Sequence, residues 1–258
     1  MTDRLDLQSS LDTPAGKRRY VRRLFATIAD RYDLITVLLS YGGDARWKRR
    51  LVSMSAAGAG VDALDLACGT GDIAFAVAAR GARVTGLDIT FRMVELAKEK
   101  GTATVLQNSK KGDCPRFLVG DMLALPFAAA SFDLVTTGYG IRNVPDIDAA
   151  LAEIRRVLRP GGRFLSLDFN RPSGAFLRSV YLTYLTIVGS TLGWLLHRDP
   201  DTYRYIPESI RRYPGAAAIV DRLEAHGFES ARYLPVLGGL MAIHAASAST
   251  AGAGQLAS

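Results

Sequence analysis

The sequence predicts an α/β fold, an open and mostly parallel sheet flanked by helices, and three observations carry that expectation. An apolar strand, Val61 to Ala67, runs straight into the turn Gly69-Thr70-Gly71 and then into an amphipathic segment from Asp72 to Arg80. A second strand, Arg83 to Leu87, ends in Asp88, seventeen residues after Gly71. Further short apolar runs alternate with helical periodicity as far as Phe169, the pattern of strands joined by crossover helices. Ligands of such sheets bind at the carboxyl ends of the strands, where these glycines and acids fall.

Glycines in the first turn let the backbone approach a ligand closely, and Asp88 is placed to accept hydrogen bonds from two ribose hydroxyls. A Gly-x-Gly turn alone also occurs as an ordinary strand-to-helix connection. Here the third glycine that a pyrophosphate would need is replaced by Ala74, and an acid, Asp65, opens the motif where it can face a cationic or amino-bearing ligand. A third strand, Phe117 to Val119, leads to Gly120-Asp121-Met122. Leu125-Pro126-Phe127 and Ser131-Phe132-Asp133 then feed a fourth strand that ends near Thr137, before Gly138. Pro160-Gly161-Gly162 reads as a helix stop and a tight turn before the fifth strand, Phe164 to Phe169.

At 258 residues and 48% hydrophobic content, the chain can bury one full core. The expected organisation is a helical extension at 1–60 lying over the site, a main domain at 61–245 with a substrate-side insert at 171–213, and a disordered tail at 246–258. Met1-Thr2-Asp3-Arg4-Leu5-Asp6 carries no basic-then-apolar signal, and Cys68 and Cys114 lack metal-ligand spacing, so a reducing cytoplasm is expected and no metal. The net charge of +7 suits nucleic acid, an anionic membrane surface or plain solubility. Lys17, Arg18, Arg19, Arg22 and Arg23 cluster before the core, with Val21, Leu24, Phe25 and Ile28 at helical spacing, a pattern that could lie on anionic lipid. Leu182 to Leu196 is the most apolar stretch; it falls short of a bilayer span and reads as a buried helix or as the wall of an entrance for a greasy substrate. No nucleic-acid partner is expected, because no Asn-Pro-Pro-Tyr-like loop follows strand four.

The motif from Asp65 to Gly71, with Asp88 and Gly120-Asp121-Met122, resembles the class I S-adenosylmethionine (SAM) methyltransferases. Three further segments narrow the resemblance: Tyr139-Gly140-Ile141-Arg142-Asn143-Val144, Asp168-Phe169-Asn170-Arg171-Pro172, and Asp201-Thr202-Tyr203-Arg204-Tyr205. Together with Tyr32-Asp33, Ser40 and Trp47 they resemble the ubiquinone and menaquinone biosynthesis C-methyltransferases from about Phe25 to His244. That resemblance implies a Rossmann-like fold with seven strands, mostly parallel with an antiparallel last strand. It implies SAM as cofactor, bound by Asp65, Gly69, Thr70, Gly71, Asp88, Asp121, Met122 and Gly138, and a lipid-like quinol as substrate. Peripheral contact with the inner face of a membrane fits such a substrate, and a homodimer is compatible with it.

The implied reaction is C-methylation of a prenylated hydroquinone or naphthohydroquinone. C- or O-methylation of another small aromatic or polyketide ring stays open, as does a non-catalytic SAM-binding scaffold. A ring carbon is far more nucleophilic when the adjacent hydroxyl is ionised, and a fixed cation favours that state. Arg142 is the candidate cation, with a structural salt bridge as the alternative. A water held by Asn143 or Asp168 would take the proton, and Tyr139 is the next candidate. Tyr203, Arg204 and Tyr205 would orient the ring or close over it, unless they only pack the insert. The chain departs from the family pattern at Ile35-Thr36, at Asp44 where a His is usual, and at Asn170 where a Ser is usual, departures that bear on which ring is accepted.

Overall fold

Four helices precede the sheet in the computed structural model, which describes residues 7–40, 42–107, 114–199 and 201–250. They are α1 (Leu7–Leu11), α2 (Pro14–Ile28), α3 (Tyr32–Leu39) and α4 (Asp44–Met54). α2 starts where Thr13 accepts the Gly16 backbone N–H at 3.1 Å and Pro14, which has no N–H to leave unpaired, enters the first turn. Val21, Leu24 and Ile28 of α2 are buried. The apolar stripe that could have met lipid therefore faces the protein's own core.

Strands and helices then alternate: β1 (Asp62–Leu66), α5 (Asp72–Ala78), β2 (Arg83–Asp88), α6 (Phe91–Gln107), β3 (Arg116–Val119), β4 (Phe132–Gly138), α7 (Ile147–Val157) and β5 (Leu158–Phe169). The chain continues through α8 (Ala175–His197), α9 (Tyr205–Arg212), α10 (Ala216–Ala225), β6 (Phe228–Val236) and β7 (Met241–Ala248). The strand order is β3-β2-β1-β4-β5-β7-β6. β1 to β5 pair in parallel, and β7 lies antiparallel between β5 and β6, as expected for this class. Alternation along β1 separates two cores. Leu64 and Leu66 join Leu151 and Ile154 of α7 and Ile219 of α10, while Ala63 joins Ile73 and Val77 of α5.

Three expectations change. α7 does stop at Val157, yet Pro160-Gly161-Gly162 is no free turn: it is an irregularity inside β5, where pairing with β4 jumps from Phe132 opposite Leu158 to Leu134 opposite Arg163. Second, the tail expected over 246–258 does not begin at Ala246. Ala246, Ser247 and Ala248 belong to β7, with Ser247 opposite Arg163 and Ala248 opposite Phe228, because small side chains fit an interior strand; residues 251–258 lie outside the described residues. Third, the apolar segment from Leu182 is part of a 23-residue helix, α8, long and apolar enough by composition to cross a bilayer. One face of it packs on the domain: Tyr181, Leu182, Leu185, Gly189 and Gly193 are buried, and a Cβ at Gly189 would come within 3.2 Å of Tyr203.

Candidate active site

Two cavities open where β1, β2 and β4 end, and they share a wall made of Tyr32, Ala67, Gly138 and Tyr139. The larger, of about 690 Å³, is lined by Gly69, Asp88, Asp121 and Met122, and is covered by Val21 and Phe25 of α2. The smaller, of about 290 Å³, is lined by Lys48, Asp65, Thr70 and Asp72. Seven of the eight residues expected to hold a cofactor thus lie on these walls. Gly71 lines neither cavity. It shapes the turn, with φ at +88° and a space so filled that a Cβ would meet Phe117 at 2.8 Å and Phe75 at 2.9 Å.

The acid in each cavity is set differently. Asp88 is anchored by backbone donors, Gly69 N–H to Oδ2 at 3.0 Å and Thr90 N–H to Oδ1 at 2.8 Å, and each oxygen keeps a lone pair for a ligand hydroxyl. Burial pushes its carboxyl up, against those two donors. Asp65 takes the Thr136 hydroxyl on Oδ1 at 2.8 Å, but its Oδ2 is buried with no hydrogen-bond partner among the described residues. Burial pushes Asp65 up to about 7, with the Thr136 bond and the Ala74 N–H pulling the other way. An orphaned carboxylate oxygen on a cavity wall is a costly feature that a cationic ligand group would satisfy.

Tyr139 follows β4 in a left-handed backbone conformation, φ +60°, as does Ala67 after β1 at φ +48°. Such strain in a residue with a side chain persists only where its surroundings enforce it. Here the Tyr139 N–H donates to Leu167 O at 2.7 Å and the Asn143 amide donates to Tyr139 O at 2.7 Å. Asn143 in turn accepts the Tyr205 hydroxyl at 3.0 Å. The Tyr139 hydroxyl donates to Asp44 Oδ1 at 2.8 Å.

Arg142 is not the free cation that its position after strand four suggested. Its Nε pairs with Asp168 Oδ1 at 3.2 Å, with side chains 4% and 1% exposed, and its backbone N–H donates to Asp168 Oδ2 at 3.0 Å. The guanidinium also meets Ser209 Oγ and lies 5.3 Å from the Phe169 ring centre. Neither Arg142 nor Asp168 lines either of the two cavities, so the geometry favours the salt-bridge alternative. Tyr203 and Arg204 also miss both cavities: Tyr203 is buried against α8 with its hydroxyl on His197 at 2.9 Å, and Arg204 forms an exposed ion pair with Asp201 at 2.8 Å. Tyr205 reaches the site only through Asn143.

Sequence reasoning left out Tyr32, Lys48 and Arg18 as site residues. Arg18 pairs with Asp121 at 2.5 Å. Lys17 donates to Arg142 O at 3.2 Å and Val144 O at 2.6 Å, and burial together with the nearby Arg142 lowers its pKa to about 8. Two residues of the basic cluster therefore tie α2 to the main domain. No motif marks them, because their partners lie more than a hundred residues away.

The chain matches the ubiE/COQ5 methyltransferase family over residues 13–248. It is 40% identical to the ubiquinone/menaquinone biosynthesis C-methyltransferase UbiE of Rubrivivax gelatinosus, covering 94% of each chain. It is 42% identical to the demethylmenaquinone methyltransferase of Thermus thermophilus, covering 86% of this chain and 98% of that one. Among solved structures, a SAM-dependent methyltransferase of Thermotoga maritima, described as a possible histamine N-methyltransferase, shares the fold at a TM-score of 0.61 with 17% identity, over 88% of this chain and 99% of that one. With the family matched over nearly its whole described length and relatives this similar, the chain belongs to the ubiE/COQ5 methyltransferase family.

Proposed function

We propose that this methyltransferase transfers the methyl group of SAM to a ring carbon of a prenylated hydroquinone or naphthohydroquinone, of the demethylmenaquinol type. The observation that carries the reading is the divided cavity, with the unsatisfied Oδ2 of Asp65 on one side, the anchored Asp88 on the other, and Tyr139 in the wall between. The residues fit SAM. Asp65 suits the ammonium group, Asp88 the ribose hydroxyls, and Leu87 and Met122 give an apolar wall beside Asp121 for the adenine. When bound, SAM supplies an electrophilic methyl group carried on a sulfonium. The names of the relatives from Rubrivivax and Thermus support a quinone-type acceptor. Mass spectrometry of purified protein with SAM and a reduced short-chain demethylmenaquinone tests the reading: a product one methyl group heavier on the ring supports it. No product from that quinol, with turnover of another phenolic ring, would move the protein to another acceptor.

Asp88→Ala should weaken SAM binding by about 1 to 3 kcal/mol, the cost of leaving polar partners unsatisfied. Calorimetry returning wild-type affinity would displace the ribose from Asp88.

A lipid substrate calls for access from a membrane, and exposed apolar residues on α8 and on α3 suit it. Phe176, Val180, Ile187 and Trp194 of α8 and Leu34 and Leu38 of α3 are exposed. The α8 residues fall on one face at spacings of four, seven and seven, opposite the buried Tyr181, Leu185 and Gly189. The net charge of +7 draws such a face to anionic lipid. Flotation with anionic vesicles should recover the protein at low salt and less of it at high salt, since exposed charges are screened beyond about 10 Å at 0.1 M. Ile187→Glu with Trp194→Glu should abolish flotation in a folded protein; a wild type that never floats would count against this surface.

A further inference from the structure

The reaction proposed above needs a proton acceptor, and Asp168, locked to Arg142, lines neither cavity. The phenol of Tyr139 stands in the wall common to both cavities, held by a strained backbone, with its hydroxyl 2.8 Å from Asp44 Oδ1. Asp44 is 5% exposed and lies at the start of α4, 95 residues away in sequence. Its other oxygen meets Lys48 Nζ at 2.7 Å, and that ammonium is shared with Asp72 Oδ2 at 2.9 Å. Resting on the quinol reading, we propose that Tyr139 and Asp44 form a proton relay, with Tyr139 the catalytic group at the substrate hydroxyl, Asp44 the terminal acceptor, and Lys48 the residue that positions Asp44.

The proton balance is simple. The substrate O–H bond breaks as its proton passes to Tyr139 Oη, and the Tyr139 proton passes to Asp44 Oδ1. The electron pair stays on the ring oxygen and raises the nucleophilicity of the ring carbon. When aromaticity is restored, the hydrogen on the methylated carbon leaves as a proton to water, and the relay runs backward to return a proton to the ring oxygen. One proton is released per turnover, and neither Tyr139 nor Asp44 is changed.

The surroundings suit an acceptor. Lys48 is shared between two carboxylates, so Asp44 receives only part of its charge. Burial lowers the Lys48 ammonium, but Asp72 and Asp44 outweigh it and hold the group above its ordinary range. Burial, then Asp44, raises the Tyr139 phenol well above its usual range, so Tyr139 stays protonated and acts as a conduit. The other titratable groups facing the trio are Tyr32 of α3, Asp65 of β1, Asp72 of α5, Lys100 of α6 through Asp72, and Asp168 of β5. Asp44 stands where the resembled family usually carries His, which could also accept a proton. On this reading, the departure replaces one acceptor with another.

Asp44→Asn keeps an oxygen for the Tyr139 hydroxyl and removes the basicity. It should lower kcat by about 10²-fold or more at neutral pH, within the range for general base catalysis, with SAM affinity changed by less than about twofold. The residual rate should climb about tenfold per pH unit as solvent forms the phenolate. Asp44→His should recover most of the activity with the acid limb moved to about 6.5, the histidine range, and Tyr139→Phe should match Asp44→Asn. A folded Asp44→Asn with wild-type kcat, or one slowed while keeping the wild-type pH profile, overturns the relay. A second measurement separates it from the choice of substrate and needs no turnover. With S-adenosylhomocysteine present, 4-nitrophenol bound to wild type should be more ionised, read by the phenolate absorbance, than when bound to Asp44→Asn or Tyr139→Phe. Equal ionisation in all three sinks the relay even if the quinol is methylated, and a wild type inactive on the quinol but ionising 4-nitrophenol sinks only the quinol.

Discussion

Arg142→Gln should destabilise the fold by about 3 to 5 kcal/mol, the scale for a buried ion pair that loses one member. The loss leaves Asp168, whose side chain is 1% exposed, without its guanidinium, although the N–H groups of Arg142 and Phe169 still reach the carboxylate at 3.0 and 2.8 Å. Those two donors place the expectation toward the lower end. Ser209 and the face of Phe169 lose a partner as well. The measurement is urea denaturation with and without SAM. SAM should bind the folded fraction almost as before, because neither residue lines either cavity of the site. Replacing the pair together, Arg142→Met with Asp168→Leu, should recover much of the stability, since an apolar pair leaves no buried charge unmatched. An unchanged melting temperature joined to a loss of turnover of about 10² would put Arg142 back in the chemistry.

SAM affinity should fall about tenfold for each pH unit below about 7, because Asp65 then holds a proton in the free protein and offers a cationic ligand no charge. The ligand-free fold should move the opposite way. In an unfolded chain an aspartate titrates near about 3.9, so between about 4 and 7 the folded state keeps a proton that the unfolded state has released. This group's contribution to stability is therefore lost as pH rises through that window, by up to about 4 kcal/mol. Asp65→Asn should remove both trends, giving weak SAM binding that no longer varies with pH and a ligand-free protein that gains stability above neutrality. Titration calorimetry over about pH 5 to 8 checks the first trend and denaturation the second. A wild-type affinity flat across that range would mean that Asp65 does not face the ammonium group.

The cofactor half of the site was legible in the sequence because its residues lie beside the strands that present them. Asp65 to Gly71, Asp88 and Asp121 with Met122 are short local signals, and the periodicity that placed β1, β2 and β4 also placed them. The catalytic half was legible only in part. Arg142 and Asn143 are adjacent in sequence, yet Arg142 turns toward Asp168 while Asn143 reaches the larger cavity, a divergence that no spacing encodes. Asp44 and Lys48 are spaced as an i,i+4 helix pair, and their meaning comes from Tyr139 and Asp72, which the fold brings across from the end of β4 and from α5. Small residues misled in the other direction, since Ala246 and Ala248 suggest a loose tail by composition and fill an interior strand.

The position of β7 bears on how the chain is made. β7 is the last of the described strands to leave the ribosome, yet it sits between β5 and β6, so until Met241–Ala248 is synthesised the finished edge of β5 stays open and β6 has no neighbour to join. The parallel half, from β3 through β5, can assemble earlier and already carries Asp65, Asp88 and Tyr139. A nascent chain can thus hold a nearly complete cofactor pocket while exposing a strand edge that invites pairing with other chains. A premature stop before Met241 would make that exposure permanent, and its product should collect in aggregates or be degraded, although most of the site's residues are present.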